Sequence, residues 1–292
     1  MRYGITGNPT KDALWAPLAD LVRWLSQRGL PFCLHHELAD GLRQRDLADA
    51  ALCSERAVEA LAEASDVLLS FGGDGTLLRS AHQAHGVPIL GVNIGRLGFL
   101  TKVEVGEVTA AIEAIEAGRS GVEDRMTLDV DVPGADLGDV PTWALNDVVI
   151  DKSGTTSMIQ VRASVDGVHL NTYWCDGLVV ATPTGSTAYA LSVGGPILAP
   201  GTETIVVAPI APHTLTARPI VLPCDVELRL AVETRGHPYA FATDGVSTLL
   251  DDDAGAIRVR RSSEVVRLVT LPDRDYFGTI RDKLSWGQGG VF

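Results

Sequence analysis

An apolar run, Val67-Leu68-Leu69, leads into Phe71-Gly72-Gly73-Asp74-Gly75-Thr76, and a stretch of helical character from Thr76 to Ala84 follows. Strand, glycine turn and helix in that order leave few folds open, because such a turn belongs at the carboxyl end of a strand in an α/β sheet. Glycines let backbone N–H groups approach an anionic ligand, and a helix N-terminus favours negative charge. Asp74 is out of place in a simple phosphate cradle, since a carboxylate repels phosphate. It suits a base, a hydroxyl-orienting group or a metal partner. The turn therefore points to a phosphoryl group meeting an acceptor hydroxyl.

The flanking sequence extends the α/β pattern over residues 1–118. Tyr3-Gly4-Ile5-Thr6, Phe32 to His35 and Val87 to Asn93 read as strands. Leu14 to Arg28 has helical periodicity and stops at Gly29, Glu55 to Ser65 reads as a further helix, and Val105 to Ala117 reads as a helix bridging two domains. Beyond it the texture changes to alternation. Leu128, Val130 and Val132 alternate with polar residues, Ile159 to Val165 alternates up to Asp166-Gly167, a hairpin signal, and Val226, Leu228 and Leu230 alternate again. Residues 119–274 are expected to form a β-rich domain. Residues 275–292 form a tail, helical over Tyr276 to Trp286 and frayed at Gly287 to Gly290. A chain of 292 residues is long enough for two cores.

The bulk properties exclude several classes. A net charge of −13 argues against nucleic acid and anionic membranes as partners. No apolar run reaches the length of a membrane span, and Met1 to Ile5 reads as a first strand rather than a signal peptide. The widely spaced Cys33, Cys53, Cys175 and Cys224 read as reduced, packed thiols, so the chain is expected to be cytoplasmic.

Two further elements carry chemistry. Asp176 to Tyr189 (Asp-Gly-Leu-Val-Val-Ala-Thr-Pro-Thr-Gly-Ser-Thr-Ala-Tyr) is a strand running into a turn of small hydroxylated residues suited to ribose and phosphate oxygens. Tyr189 stacks on a base or simply packs. Asn146-Asp147 precedes an apolar strand, where an amide and a carboxylate read an adenine edge or ribose hydroxyls, or serve only as a strand start.

Together with Asn93-Ile94-Gly95-Arg96-Leu97-Gly98-Phe99-Leu100 and the block Pro209 to Pro219, these elements resemble the NAD kinase family over most of the chain. The Gly-Gly-Asp-Gly-Thr turn is shared with diacylglycerol and sphingosine kinases; the 176–189 and 209–219 blocks are more specific. The resemblance implies an α/β N-terminal domain with a parallel sheet plus a β-rich C-terminal domain, the NAD kinase/diacylglycerol kinase-like architecture, with the site between domains. It implies phosphoryl transfer from ATP, or polyphosphate, to the 2′-hydroxyl of NAD's adenosine ribose, with a divalent metal ion, usually Mg²⁺, and a homodimer or homotetramer.

By motif position, Asp74 is the base or hydroxyl-orienting carboxylate, Gly75 lets the ligand approach the backbone, and Arg79 matches a basic position that neutralises phosphate. Asn146 and Asp147 match the pair that contacts NAD. Asp176 matches a carboxylate for the nicotinamide half, and Thr187, Ala188, Tyr189, Ala190, Leu191 and Ser192, with Ala211, match the segments lining the nucleotide pocket. Two positions depart from the family pattern: Val246 follows Asp244-Gly245 where many relatives carry Gln, and Trp174 stands where a basic residue is common. No residue is assigned as a metal ligand.

Competing readings are a lipid kinase sharing the glycine turn, which the acidic balance disfavours, and a non-catalytic dinucleotide-binding regulator, which Asp74 disfavours. His82 and His85 have metal-binding spacing but no evident third ligand. His213 is expected to be structural, Asp251-Asp252-Asp253 a solvated turn, and Trp15 and Trp24 packing residues. Arg218 reaches a phosphate or braces its loop.

Overall fold

The computed structural model describes residues 1–154, 156–272 and 274–285. The chain forms two compact units, Met1–Asp124 with Val266–Phe292, and Arg125–Val265.

In the first unit the strands Ala57–Val58, Phe32–His35, Tyr3–Gly7, Val67–Gly72 and Ile89–Asn93 lie side by side, all parallel. The end of the strand Ile257–Thr270 joins them through Leu268 beside Ile89. Every residue of Val67–Gly72 is buried, as expected of a strand covered on both faces. Strand order reverses direction between Tyr3–Gly7 and Val67–Gly72. Connections therefore leave to opposite sides there and open a crevice at the strands' carboxyl ends. The Asp74 turn sits at that point.

The helix Trp15–Arg28 buries Leu18, Leu21, Val22 and Leu25 against the sheet, as the periodicity predicts. It ends at Gly29, whose φ of 66° is the left-handed cap favoured by glycine. Trp15 is buried and carries the Arg45 guanidinium 4.0 Å over its ring.

Two expected helices are corrected. Glu55 to Ser65 is not one helix. Asp49 caps a helix Ala50–Arg56 by accepting from the Ala51 and Leu52 amides, Ala57–Val58 then pairs with the sheet edge, and a short 3₁₀ turn spans Ala62–Ala64. Edge pairing at Leu34 and His35 wins over helical continuation there. The second is the expected bridge. Val105–Glu107 is a 3₁₀ turn closed by reciprocal capping of Glu104 and Glu107, and the helix Val108–Glu116 places Val108, Ala111, Ile112 and Ile115 in the first unit's core rather than spanning two domains.

The second unit holds two antiparallel sheets. One has the order Ile220–Pro223, Thr204–Ile210, Gly177–Ala181, Asp147–Lys152, Tyr239–Thr243, Val246–Leu250. The other contains Val168–Cys175, Ile159–Val165, Leu228–Glu233 and the start of Ile257–Thr270. Val148, Ile150, Leu178, Val180 and Phe241 of the first meet Val161, Ala163, Leu230 and Val259 of the second in one core. The predicted hairpin is present: Asp166 and Gly167 have φ of 48° and 79° between paired Val165 and Val168, the two positive values of a type I′ turn.

The units divide at Asp124/Arg125 and Val265/Val266 because the start of Gly121–Asp131 stays with the first. There Asp124 pairs with Arg267, and Gly121 lies against Thr270. The tail helix Tyr276–Leu284 is grouped with the first unit and is capped by Asp275. Trp286 and Gly287 to Gly290 lie outside the described residues. All the cysteines are buried and unpaired. No described helix is long and apolar enough to cross a membrane.

Candidate active site

The first unit supplies the glycine turn. Gly72 ends its strand under Thr76, whose side chain fills the space a Cβ would need, so only glycine fits. Asp74 begins the helix Asp74–Ala84, and the Gly73 carbonyl accepts from the Thr76 and Leu77 amides. The Asp74 carboxylate is fixed from across the crevice. Its Oδ2 accepts from the Phe99 amide at 2.8 Å. Its Oδ1 accepts from the Leu100 and Thr101 amides and the Thr101 hydroxyl, each at 3.1 Å. Gly98 lies so close that a Cβ there would overlap Oδ1. A carboxylate offers about four acceptor positions. Oδ2 therefore keeps room for one more donor.

The loop that grips Asp74 is itself fixed by Asn93. The Asn93 amide nitrogen donates to the Arg96 carbonyl at 2.6 Å and to the Thr101 hydroxyl at 3.0 Å, and its Oδ1 accepts from the Gly95 amide at 2.6 Å. A cavity of about 420 Å³ opens over Gly72, Gly73 and Thr76 and is lined by Lys11, Asn93 and Arg96. Arg79 is exposed on the helix and does not line this cavity; the cations that do are Lys11 and Arg96, which the sequence reading passed over. Gly75 is exposed with open space around it.

The second unit supplies the other motif residues. Thr182 joins two of its blocks: its hydroxyl donates to the Leu145 carbonyl at 2.6 Å and its amide to the Asn146 carbonyl at 2.9 Å. Its oxygen in turn accepts from the Gly185 amide at 3.0 Å. Asp147 is 6% exposed and accepts from the Tyr189 amide. The Asn146 Oδ1 is buried with no partner among the described residues, so it is available to a ligand's donor or a water. Asp176 is bound to Lys152 at 2.7 Å. Tyr189 stands exposed above Asp147, Asp151 and Asp176, and burial followed by these carboxylates raises its phenol from the ordinary value.

The structure thus brings Asn146, Asp147, Asp176 and the Thr187–Ser192 segment together within one unit. Thr187 and Ala188 are half-buried and Leu191 likewise, Ser192 is exposed, and Ala190 is fully buried against Val179, Ala181, Val206 and Ala208, a packing position. Ala211 is exposed with a φ of 41°. Lys152 and Asp244 were not singled out from the sequence. Lys152 has no motif to mark it, but Asp244-Gly245 is a hairpin dipeptide that could have been found.

Asp147 titrates unusually. Burial first, then the Asp244 carboxylate, push it from the ordinary 3.8 to about 7, with the Tyr189 amide opposing. Between these values the folded protein holds a proton that the unfolded chain has released. Stability should therefore fall as pH rises from about 4 to about 7. Asp147→Asn is expected to remove that component, so the difference in Tm between variant and wild type should grow in the variant's favour across this window. A pH-independent difference would contradict it.

Against known proteins, the ATP-NAD kinase N-terminal domain matches residues 3–120 and the ATP-NAD kinase C-terminal domain matches residues 145–271. An NAD kinase of Bacteroides fragilis is 39% identical over 293 residues, covering 98% of each chain. One from Syntrophotalea carbinolica is 38% identical over 271 residues, covering 92% of this chain and 93% of that protein. The chain belongs to the NAD kinase family. Among solved structures, an NAD kinase from Archaeoglobus fulgidus in complex with ATP superposes with a TM-score of 0.73 at 25% identity, over 98% of this chain and 99% of that one. Yeast NADH kinase complexed with NADH shares the fold with a TM-score of 0.86 at 24% identity, over 99% and 89%. The α/β parallel-sheet unit followed by a β-rich unit is the NAD kinase architecture expected from the motifs.

The remaining side readings resolve locally. Arg218 braces its own loop, donating to the Leu215 and Ala217 carbonyls. Asp252 accepts from the Thr234 amide and hydroxyl and the Gly236 amide, so the acidic run holds a turn in shape rather than being merely solvated. His82 and His85 share a cavity wall with His35 and His36, and no described cluster of His, Cys, Asp and Glu is arranged to hold a metal ion.

Proposed function

We infer that the protein phosphorylates the 2′-hydroxyl of the adenosine ribose of NAD, giving NADP, with ATP as donor. The observation that carries this reading is the Asp74 carboxylate: fixed by Phe99, Leu100 and Thr101 at the head of a glycine turn, with one acceptor position left on Oδ2. A carboxylate so held orients an incoming hydroxyl and receives its proton as the new O–P bond to the γ-phosphorus forms, the bond from that phosphorus to the bridging oxygen breaks and ADP departs. The Gly72–Gly73 backbone, Lys11 and Arg96 suit the donor's phosphates. Asn146, Asp147, Asp176 and Tyr189 suit the dinucleotide. Catalysis is then mainly positioning and charge neutralisation.

A Mg²⁺ ion fits this arrangement as a companion of the triphosphate. The described residues offer no three-ligand cage, and Mg²⁺ keeps several waters and binds through substrate phosphates with one or two carboxylates. When bound it neutralises phosphate charge. Polyphosphate as an alternative donor, a homodimer or homotetramer, and a cytoplasmic location belong to the same proposal.

The test is a coupled assay of purified protein with NAD, ATP and Mg²⁺, with NADP read by an NADP-specific dehydrogenase. NADP formation that disappears on chelation is expected; NAD binding without turnover would favour a non-catalytic regulator. Gly75 gives a sharper probe. No atom of the described residues lies within 4 Å of a Cβ placed there. Gly75→Ala should fold at least as well as wild type, since alanine in a helix is favoured by about 0.5–1 kcal/mol. A methyl at the phosphate approach should nevertheless raise the KM for ATP. A higher Tm with unchanged kinetics would remove Gly75 from the site.

A further inference from the structure

Asp244 holds the Leu145–Asp147 segment, and it does so through a bond pattern that only a carboxylate satisfies. Its Oδ2 accepts from the Leu145 amide at 2.8 Å. Its Oδ1 accepts from the Asn146 amide at 2.7 Å and the Asp147 amide at 3.2 Å. Its own amide donates to the Asp147 carbonyl at 3.0 Å. Three successive backbone N–H groups thus converge on one side chain, which reaches them from the tip of the neighbouring hairpin.

The hairpin alone does not explain an aspartate there. Asp244 and Gly245 have φ of 49° and 83°, between paired Thr243 and Val246. Asp166 and Gly167 make the same turn at 48° and 79°. Asparagine adopts this left-handed conformation as readily as aspartate. What distinguishes Asp244 is the demand for acceptors only. An asparagine would turn its NH₂ group toward at least one of the backbone N–H groups, whichever way the amide is flipped. Among the described residues the Asp166 side chain, by contrast, accepts only from the Glu227 amide, at 2.9 Å.

We propose that Asp244 is a positioning residue for NAD recognition, fixing the Asn146–Asp147 backbone so that the Asn146 amide and the Asp147 carboxylate are presented to the dinucleotide. The proposal rests on the NAD kinase reading. It accounts for two things at once. The Asn146 Oδ1 is buried without a partner among the described residues yet sits on a backbone held on both sides, by Asp244 at its amide and by the Thr182 amide at its carbonyl. And Asp244 faces Asp147, so the two carboxylates are linked electrostatically as well as through the backbone.

The test compares Asp244→Asn with Asp166→Asn in the full-length protein, after wild type has been shown to make NADP; a wild type without turnover would refute the kinase reading and leave the Asp244 comparison to NAD titration alone. Asp244→Asn is expected to raise the KM for NAD about 10-fold or more, the loss expected when charged hydrogen bonds to a positioning group are broken. The kcat at saturating NAD and the KM for ATP should change far less. The pH dependence of the KM for NAD should also move to lower pH, because removing the Asp244 charge eases ionisation of Asp147 while Tyr189, Asp151 and Asp176, the other titratable groups beside it, remain. Asp166→Asn should leave all of these unchanged. A lowered Tm in Asp244→Asn with an unmoved KM for NAD and an unmoved pH profile would make the residue merely structural and overturn the proposal. If Asp244→Asn does not fold, Thr182→Val loosens the same segment one residue earlier: it keeps the Thr182 amide bond to the Asn146 carbonyl but removes the hydroxyl bonds to the Leu145 carbonyl and from the Gly185 amide. It should raise the KM for NAD without shifting the pH profile, and an unchanged KM would again overturn the proposal.

Discussion

Asp74→Asn is expected to lower kcat by about 10²–10⁴-fold, the range contributed by a positioned base, while leaving NAD affinity close to wild type. Two losses combine. The charge that takes the proton of the attacking hydroxyl is gone. The grip on the 98–101 loop is also broken, because an amide in either flip directs NH₂ against the Phe99 amide or against the Leu100 and Thr101 amides. These contributions are separable. Thr101 is fully buried, and its hydroxyl donates one of the bonds to Oδ1. Thr101→Val removes that bond and leaves the charge, so it should cost only about 10-fold. NAD affinity should be spared in both variants because Asn146, Asp147 and Asp176 belong to the other unit. The measurement is kcat with saturating NAD and ATP beside NAD titration without ATP. An Asp74→Asn enzyme within ten-fold of wild type would refute the assignment of Asp74, and equal effects of the two variants would assign it to loop anchoring alone.

The sequence was most informative where one physical demand sets a short pattern. The Gly72–Thr76 turn was legible because backbone approach needs glycine and the helix start needs a strand before it. Trp15–Arg28 was legible from its apolar stripe and its Gly29 stop. Asp166-Gly167 was legible because a two-residue hairpin needs two positive φ values. Glu55 to Ser65 was misread because its register is decided by pairing with Leu34 and His35, which lie far back in the chain. The site shows the same division. Asp74 stands out by its chemistry, but that its oxygens are held by residues 99–101 depends on a loop returning across the sheet. Arg79 was chosen by its match to a family position and lies exposed on its helix. The cations lining the cavity over the turn are Lys11 and Arg96, which follow the strands on either side of Val67–Gly72 and carry no mark in the sequence. Asp244-Gly245 carries the same hairpin signal as Asp166-Gly167 and went unread, and its role as a clamp was illegible, since its partners are about a hundred residues away, as with Leu145 at a separation of 99.

Gly185→Ala is the second substitution with a large expected effect, and it tests how the residues proposed to bind NAD are assembled. Gly185 opens the 3₁₀ turn Gly185–Thr187 with its amide bonded to the Thr182 hydroxyl. A Cβ at this position would overlap the Asn146 carbonyl and its backbone neighbours. Backbone cannot rotate away as a flexible side chain can. Either the turn moves off, breaking the Thr182 link, or the Asn146–Asp147 segment is displaced from its Asp244 clamp. Overpacking of this kind costs about 1–3 kcal/mol. In a protein of this size each kcal/mol lowers Tm by about 2–4 °C. The larger effect should be on NAD. Because both sides of the contact carry motif residues, the KM for NAD should rise well over 10-fold, and kcat should fall as NAD is held out of line. Gly73→Ala is the control, since a Cβ there meets no atom of the described residues within 4 Å. It should leave Tm and NAD affinity near wild type and disturb only the phosphate side. If Gly185→Ala kept wild-type NAD affinity despite a lowered Tm, the close approach of the 185 turn to Asn146 would be a packing contact without a role in recognition, and the second unit's motif blocks would have to act independently.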